Sequence, residues 1–118
     1  MALAELEERF LLHEQAEKRL REALAMNSGS WISRFGLGRF LVARGEYAEA
    51  VEHLKVASNA APNEPELLPV RVAIRTTLGD AHFALGELAE AEAAYRSATQ
   101  ADPRAQRALA GQLATLAL

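Results

Sequence analysis

Three histidines, His13, His53 and His82, are the side chains best placed to exchange a proton near neutral pH, and they lie far apart in the chain. Glu49 precedes His53 by four residues, which puts a carboxylate and an imidazole on one helix face, where a metal ion could bridge them. Two ligands make a poor site, because zinc asks for three or four from the protein. The pair therefore reads as a solvated couple on a helix face. His82 falls in a core-facing row and is expected to be packed and hydrogen-bonded. The acid-rich runs at 5–8 and 87–92 read as solvated helix faces. No strand is expected, so no glycine-rich phosphate loop follows one, and no Ser/His/Asp set stands at an interpretable spacing. With no cysteine there is no disulfide, thiolate site or thiol chemistry, and a reducing compartment is compatible. The expectation is a chain that is not an enzyme and takes no cofactor and no metal.

The elements behind these side chains follow from an internal repeat. Leu37 to Pro62, LGRFLVARGEYAEAVEHLKVASNAAP, returns 41 residues later as Leu78 to Pro103, LGDAHFALGELAEAEAAYRSATQADP, with 11 of 26 positions identical. Leu37 and Leu41 fall four apart, Gly45 interrupts, and Ala50, Leu54 and Ala57 follow at i, i+4 and i+7, so the unit is two helical stripes around a break. Glycine accepts the left-handed conformation that ends a helix, and Pro62 closes the second stripe. Gly38, Ala50 and Ala57 are small enough to let the two backbones approach. Each copy is expected to be a helix hairpin.

The Leu-Gly pair, then Ala-x3-Leu/Tyr, then Ala and Pro, resembles the tetratricopeptide repeat, a helix–turn–helix of about 34 residues. Leu37, Gly38, Ala50, Leu54, Ala57 and Pro62 carry the resemblance in one copy; Leu78, Gly79, Ala91, Tyr95, Ala98 and Pro103 carry it in the other. Two departures stand out. Arg34 and Arg75 occupy the motif's tryptophan slot, and Leu41 and His82 its tyrosine slot. Trp31 is expected to stand in for the missing tryptophan by packing on the first helix. The resemblance implies an all-α, right-handed α-solenoid of such hairpins with a C-terminal capping helix.

One domain over 1–118 is expected. It divides into a degenerate first repeat or long helix (1–30), a repeat (31–64), an insertion (65–71), a second repeat (72–105) and the capping helix (106–118). The first segment reads as one helix from 3 to about 26, with Leu3, Leu6, Phe10, Leu20 and Leu24 on a face and no Gly or Pro before Gly29. A shift of about 34 aligns Ala16, Leu20 and Ala23 with Ala50, Leu54 and Ala57. Ser30 is expected to cap the next helix. Asn63 to Pro69 suggests a short helical turn near 64–68, then a helix from about 70 to 85, since a proline deep inside a helix is costly. Leu109, Leu113 and Leu116 form one stripe of the last helix.

At net charge −3, with no basic patch beyond Lys18, Arg19 and Arg21, the chain is not expected to bind nucleic acid or an anionic membrane. No segment reaches the ~18 apolar residues of a membrane span. The start, MALAELEERF, carries acids where a signal peptide needs bases, so a soluble, cytoplasmic protein is expected.

In the first helix of each hairpin a further stripe, Ile32, Phe35, Arg39 and Val42, has the counterpart Ala73, Thr76, Asp80 and Phe83. In the family this chain resembles, such stripes line the concave groove that holds a peptide of a partner protein. Two readings stand: a groove of this kind, or burial of Ile32, Phe35 and Phe83 between adjacent repeats. The family's Lys/Asn/Arg clamp for a terminal carboxylate is not reproduced. Arg39 and Asp80 would suit a ligand of mixed charge, or each other. The resemblance thus implies a protein–protein interaction scaffold binding a peptide or partner segment. The alternatives are a self-assembly module, a homodimer or larger homo-oligomer formed through the terminal helices, and a regulatory domain of a larger complex.

Overall fold

The structure is a computed structural model that describes the backbone of residues 3–117 and the side chains of residues 8–117. Among these residues it holds helices and no strand: α1 (Leu3–Met26), α2 (Trp31–Ala43), α3 (Tyr47–Ala60), α4 (Leu68–Ala84), α5 (Leu88–Ala101) and α6 (Gln106–Ala117), with a 3₁₀ turn at Pro65–Leu67 before α4. Helices α2 and α3 form one hairpin and α4 and α5 a second. Each first helix also packs on both helices of the hairpin before it: α4 on α3 and α2, α6 on α5 and α4. The result is an α-solenoid.

Both hairpins turn by the same device. Gly45 and Gly86 adopt φ values of 80° and 77°, which only glycine holds without a Cβ penalty. Gly45 N–H donates to Val42 O and Glu46 N–H to Leu41 O; Gly86 N–H donates to Phe83 O and Glu87 N–H to His82 O. This is the Schellman closure, and it satisfies carbonyls that the helix end would leave unpaired. A shift of about 34 residues places Phe10, Leu11 and Leu12 opposite Arg44, Gly45 and Glu46. With no glycine to take the positive φ, α1 runs straight through the position where the hairpins reverse.

The core forms where the repeats meet. Leu37, Leu41, Ala50, Val51, Leu54 and Ala81 make one buried cluster, with Leu20, Leu24, Phe35, Val42, Tyr47 and Leu78 packed against it. Each large aliphatic side chain buried this way contributes roughly 1.5–3 kcal/mol of transfer free energy. Gly38 permits the close approach: a Cβ there would fall 2.7 Å from Leu54 Cγ. At the next hairpin a Cβ on Gly79 would fall 2.6 Å from Tyr95 Cε1, and one on Gly111 of α6 would fall 2.5 Å from Tyr95 Cζ. The Tyr95 ring is thus held between two glycine backbones.

Several expectations meet local structure here. Ser30 caps α2 by accepting from Ser33 N–H at 3.2 Å. Trp31, the first residue of α2, is half-buried. Helix α4 begins at Leu68, slightly before the expected start, because Pro69 then sits in the first turn, where its missing N–H has no partner to lose. In α1, Leu20 and Leu24 meet the core while Phe10 is exposed; the expected contacts of Leu3 and Leu6 lie outside the described side chains. The leucine stripe of α6 is the helix's outer face. Ala108 and Thr115 are buried and Gly111 meets Tyr95, whereas Leu109, Leu113 and Leu116 face outward. At Gly111 the Tyr95 ring leaves no room even for a Cβ.

Candidate partner-binding face

The stripe on α2 alternates between exposed and partly covered positions. Ile32 is 65% exposed, Arg39 is exposed, and Phe35 and Val42 are half-buried, both resting on the core cluster. The Arg39 guanidinium lies over the Phe35 ring, 5.4 Å from its centroid, a cation–π stack that shields the ring from water while leaving the charge outside.

The matching stripe on α4 is different in kind. Ala73, Asp80 and Phe83 are half-buried. Thr76 is only 3% exposed, and its hydroxyl donates to Val72 O at 2.8 Å, so it is not offered to a ligand. Ala73 and Thr76 line an open hollow of about 440 Å³ whose other wall is the start of α6, from Arg104 to Ala108. Asp80 is occupied on both oxygens: Oδ1 accepts from the Tyr95 hydroxyl at 2.6 Å and Oδ2 pairs with Arg107 of α6. Burial first, and then the Asp80 carboxylate, push the Tyr95 phenol well above its ordinary pKa. The Arg39–Asp80 pairing is therefore not made. Asp80 instead fastens α4 to α5 and α6, and among the described residues Arg39 is paired with no carboxylate. This role of Asp80 was hidden in the sequence because its partners lie 15 and 27 residues away.

Elsewhere the expected Glu49–His53 couple belongs to a longer chain of contacts. Arg21 grips Glu49 with two hydrogen bonds, at 2.9 and 3.2 Å. His53 Nε2 lies 3.4 Å from the same carboxylate, and Nδ1 lies 3.3 Å from Arg34 Nη1. Arg34 also donates to Ser28 O. With Nδ1 accepting from Arg34, the ring donates from Nε2. The Arg21 bond leads in holding the Glu49 carboxyl below its usual range. The chain of contacts ties α1, α2 and α3 together, beside an open hollow of about 580 Å³ lined by Glu14, Glu17, Arg44 and Glu46 among others. His82 is buried with Nδ1 3.0 Å from Glu87 Oε1 across the turn, as a packed, hydrogen-bonded histidine should be. Among the described residues, no three His, Asp or Glu side chains converge as a metal site would require.

The architecture is a run of α-hairpins, each leaning on the last through a small-residue seam. Family profiles described as tetratricopeptide repeat match residues 13–71 and 69–114. The chain belongs to the tetratricopeptide repeat family. Repeats of this family are protein–protein interaction modules, and the family is one of non-catalytic scaffolds. Comparison with curated protein sequences gives no match. No helix among the described residues is long and apolar enough to cross a membrane.

Proposed function

We propose that this tetratricopeptide repeat chain is a non-catalytic scaffold that binds a peptide or segment of a partner protein along the stripe headed by α2. The single observation behind this reading is the Ile32–Phe35–Arg39 arrangement. An exposed branched aliphatic, a half-buried aromatic and a stacked guanidinium stand on one helix face. Interfaces favour aromatic and Arg anchors of this type. Val42, Ala73 and Phe83 extend the face with partly covered apolar surface. Asp80 and Thr76 shape it from behind and do not contact the ligand. Arg39 suits a ligand carrying an acidic residue beside an apolar one.

Selection from a random peptide library against the purified chain tests this. Bound peptides should share an apolar residue next to an acidic one, and Ile32→Asp with Arg39→Glu should weaken them at least tenfold while the helical circular-dichroism spectrum stays unchanged. Peptides that bind the double variant as well as the wild type would refute the proposal. Ile32 and Arg39 are the better probes because Phe35 also supports the core.

A further inference from the structure

Helix α4 carries a turn that the first hairpin lacks. The 41-residue shift places Trp31, the first residue of α2, opposite Val72, yet α4 begins at Leu68. The additional turn, Leu68–Arg71, contributes Pro69 to the hollow of about 440 Å³ between α4 and α6. Val72 and Ala73 continue that wall, and Ala105 stands on the opposite one. Thr76 from the α4 side and Ala108 from the α6 side are buried and form the floor. Both walls lie inside the repeat array, on two helices that already pack on one another.

The walls are apolar and the edge is cationic. Thr76 commits its hydroxyl to Val72 O at 2.8 Å, so the floor offers no free side-chain donor. Arg104 and Arg107 are exposed at the edge. Arg107 pairs with Asp80, whereas Arg104 is paired with no carboxylate side chain among the described residues. Asp102 accepts from the Arg104 backbone N–H at 3.0 Å, a contact of the main chain and not of the guanidinium. In a chain of net charge −3, the hollow is a local reversal of sign.

We infer that this hollow is a second subsite for the partner's segment: a large apolar side chain enters it, and an Asp or Glu beside that residue in the segment reaches Arg104 and Arg107. The inference rests on the reading proposed above and deepens it. Burial of the apolar side chain supplies affinity, and the guanidinium groups at the edge select the sign of its neighbour. A chain-terminal carboxylate is not the occupant, because inside the hollow it would leave water for a floor without a donor. The turn Leu68–Arg71 makes the subsite a property of this chain, since a repeat of about 34 residues has no counterpart for it.

Random peptides selected on the purified wild type test it, one pool with amidated C-termini and one with free C-termini. Ala73→Trp fills the hollow and should weaken the amidated binders about tenfold, the loss of one buried apolar side chain. Arg104→Glu reverses the charge at an exposed edge position and should weaken them roughly fivefold. Changing one acidic residue of each peptide to its amide should cost the same on the wild type and nothing further on Arg104→Glu. Peptides that bind both variants as tightly as the wild type would overturn the inference, and the reading of the α2 stripe would stand if Ile32→Asp with Arg39→Glu still weakens them. Binders from the free-terminus pool alone would overturn it by making a terminal carboxylate the occupant. A library that yields no binder would overturn both readings. Should Ala73→Trp unfold the chain, Arg104→Glu decides alone, by lowering affinity or leaving it unchanged.

Discussion

Replacing Gly79 by alanine adds one methyl group at the tightest seam of the fold. That methyl would lie 2.6, 2.7 and 2.9 Å from three atoms of the Tyr95 ring, where carbon atoms ordinarily stand about 3.5–4.0 Å apart. The ring must retreat by about 1 Å, and Gly111 already stands behind it without room to spare. Overpacking of this kind costs about 1–3 kcal/mol. Displacing the hydroxyl from Asp80 adds roughly 1.5–3 kcal/mol, since the acceptor is charged. Against this, alanine in a helix interior gains about 1 kcal/mol over glycine. The net expectation is a loss of about 1.5–5 kcal/mol, read by urea denaturation followed by circular dichroism; in a thermal scan it corresponds to roughly 4 °C per kcal/mol. Gly79→Leu should lose more. The decisive arm is the Tyr95→Ala background, where the clash is gone and the same alanine should stabilise by about 1 kcal/mol. The same sign of effect in both backgrounds would refute the steric reasoning.

Gly45→Ala should cost about 1–2 kcal/mol through its positive φ, and Gly45→Asn should recover part of the loss; equal melting of all three would show that the turn does not need the left-handed conformation. The carboxyl of Glu49 titrates lower in the folded chain than in the unfolded one, so its contribution is present above the ordinary carboxylate range and is lost as pH falls through the lowered folded value. The difference in stability between wild type and Glu49→Gln should accordingly be at most ~1 kcal/mol at neutral pH, because the pair is partly exposed, and should vanish in acid. For Tyr95 the sign is opposite. Its raised folded value gives a contribution that is complete below the ordinary phenol pKa and is lost as pH rises through the folded one, so of the two tyrosines one should ionise only as the alkaline chain unfolds, visible as a step in phenolate absorbance.

The hairpins were legible because local rules and the repeat agreed. Gly45 and Gly86 stand where a left-handed residue is required, Pro62 and Pro103 where a helix has ended, and the small residues where backbones touch. The unbroken α1 was legible for the converse reason, since Phe10, Leu11 and Leu12 contain nothing able to reverse the chain. Periodicity could not say which face of α6 turns inward. Hydrophobicity favours Leu109, Leu113 and Leu116, but burial is decided by the neighbour: Ala108 and Thr115 are the buried positions, and Gly111 between them stands against the Tyr95 ring with no room for a Cβ. On the α2 and α4 stripes, spacing identified the surface but not its division of labour. Thr76 turns its hydroxyl back onto its own helix, and Asp80 is claimed by Tyr95 and Arg107 from separate helices. The Glu49–His53 spacing found one link of a chain whose other members, Arg21 and Arg34, come from α1 and α2.

Tyr95 also acts as a shim. At the first hairpin a branched aliphatic, Leu54, fills the seam behind Gly38; at the second a flat ring fills it, approached by the backbones of Gly79 and Gly111. The thickness of that ring therefore limits how near α4 and α6 can come. A change of side chain at that one position would shift the spacing of both helices at once.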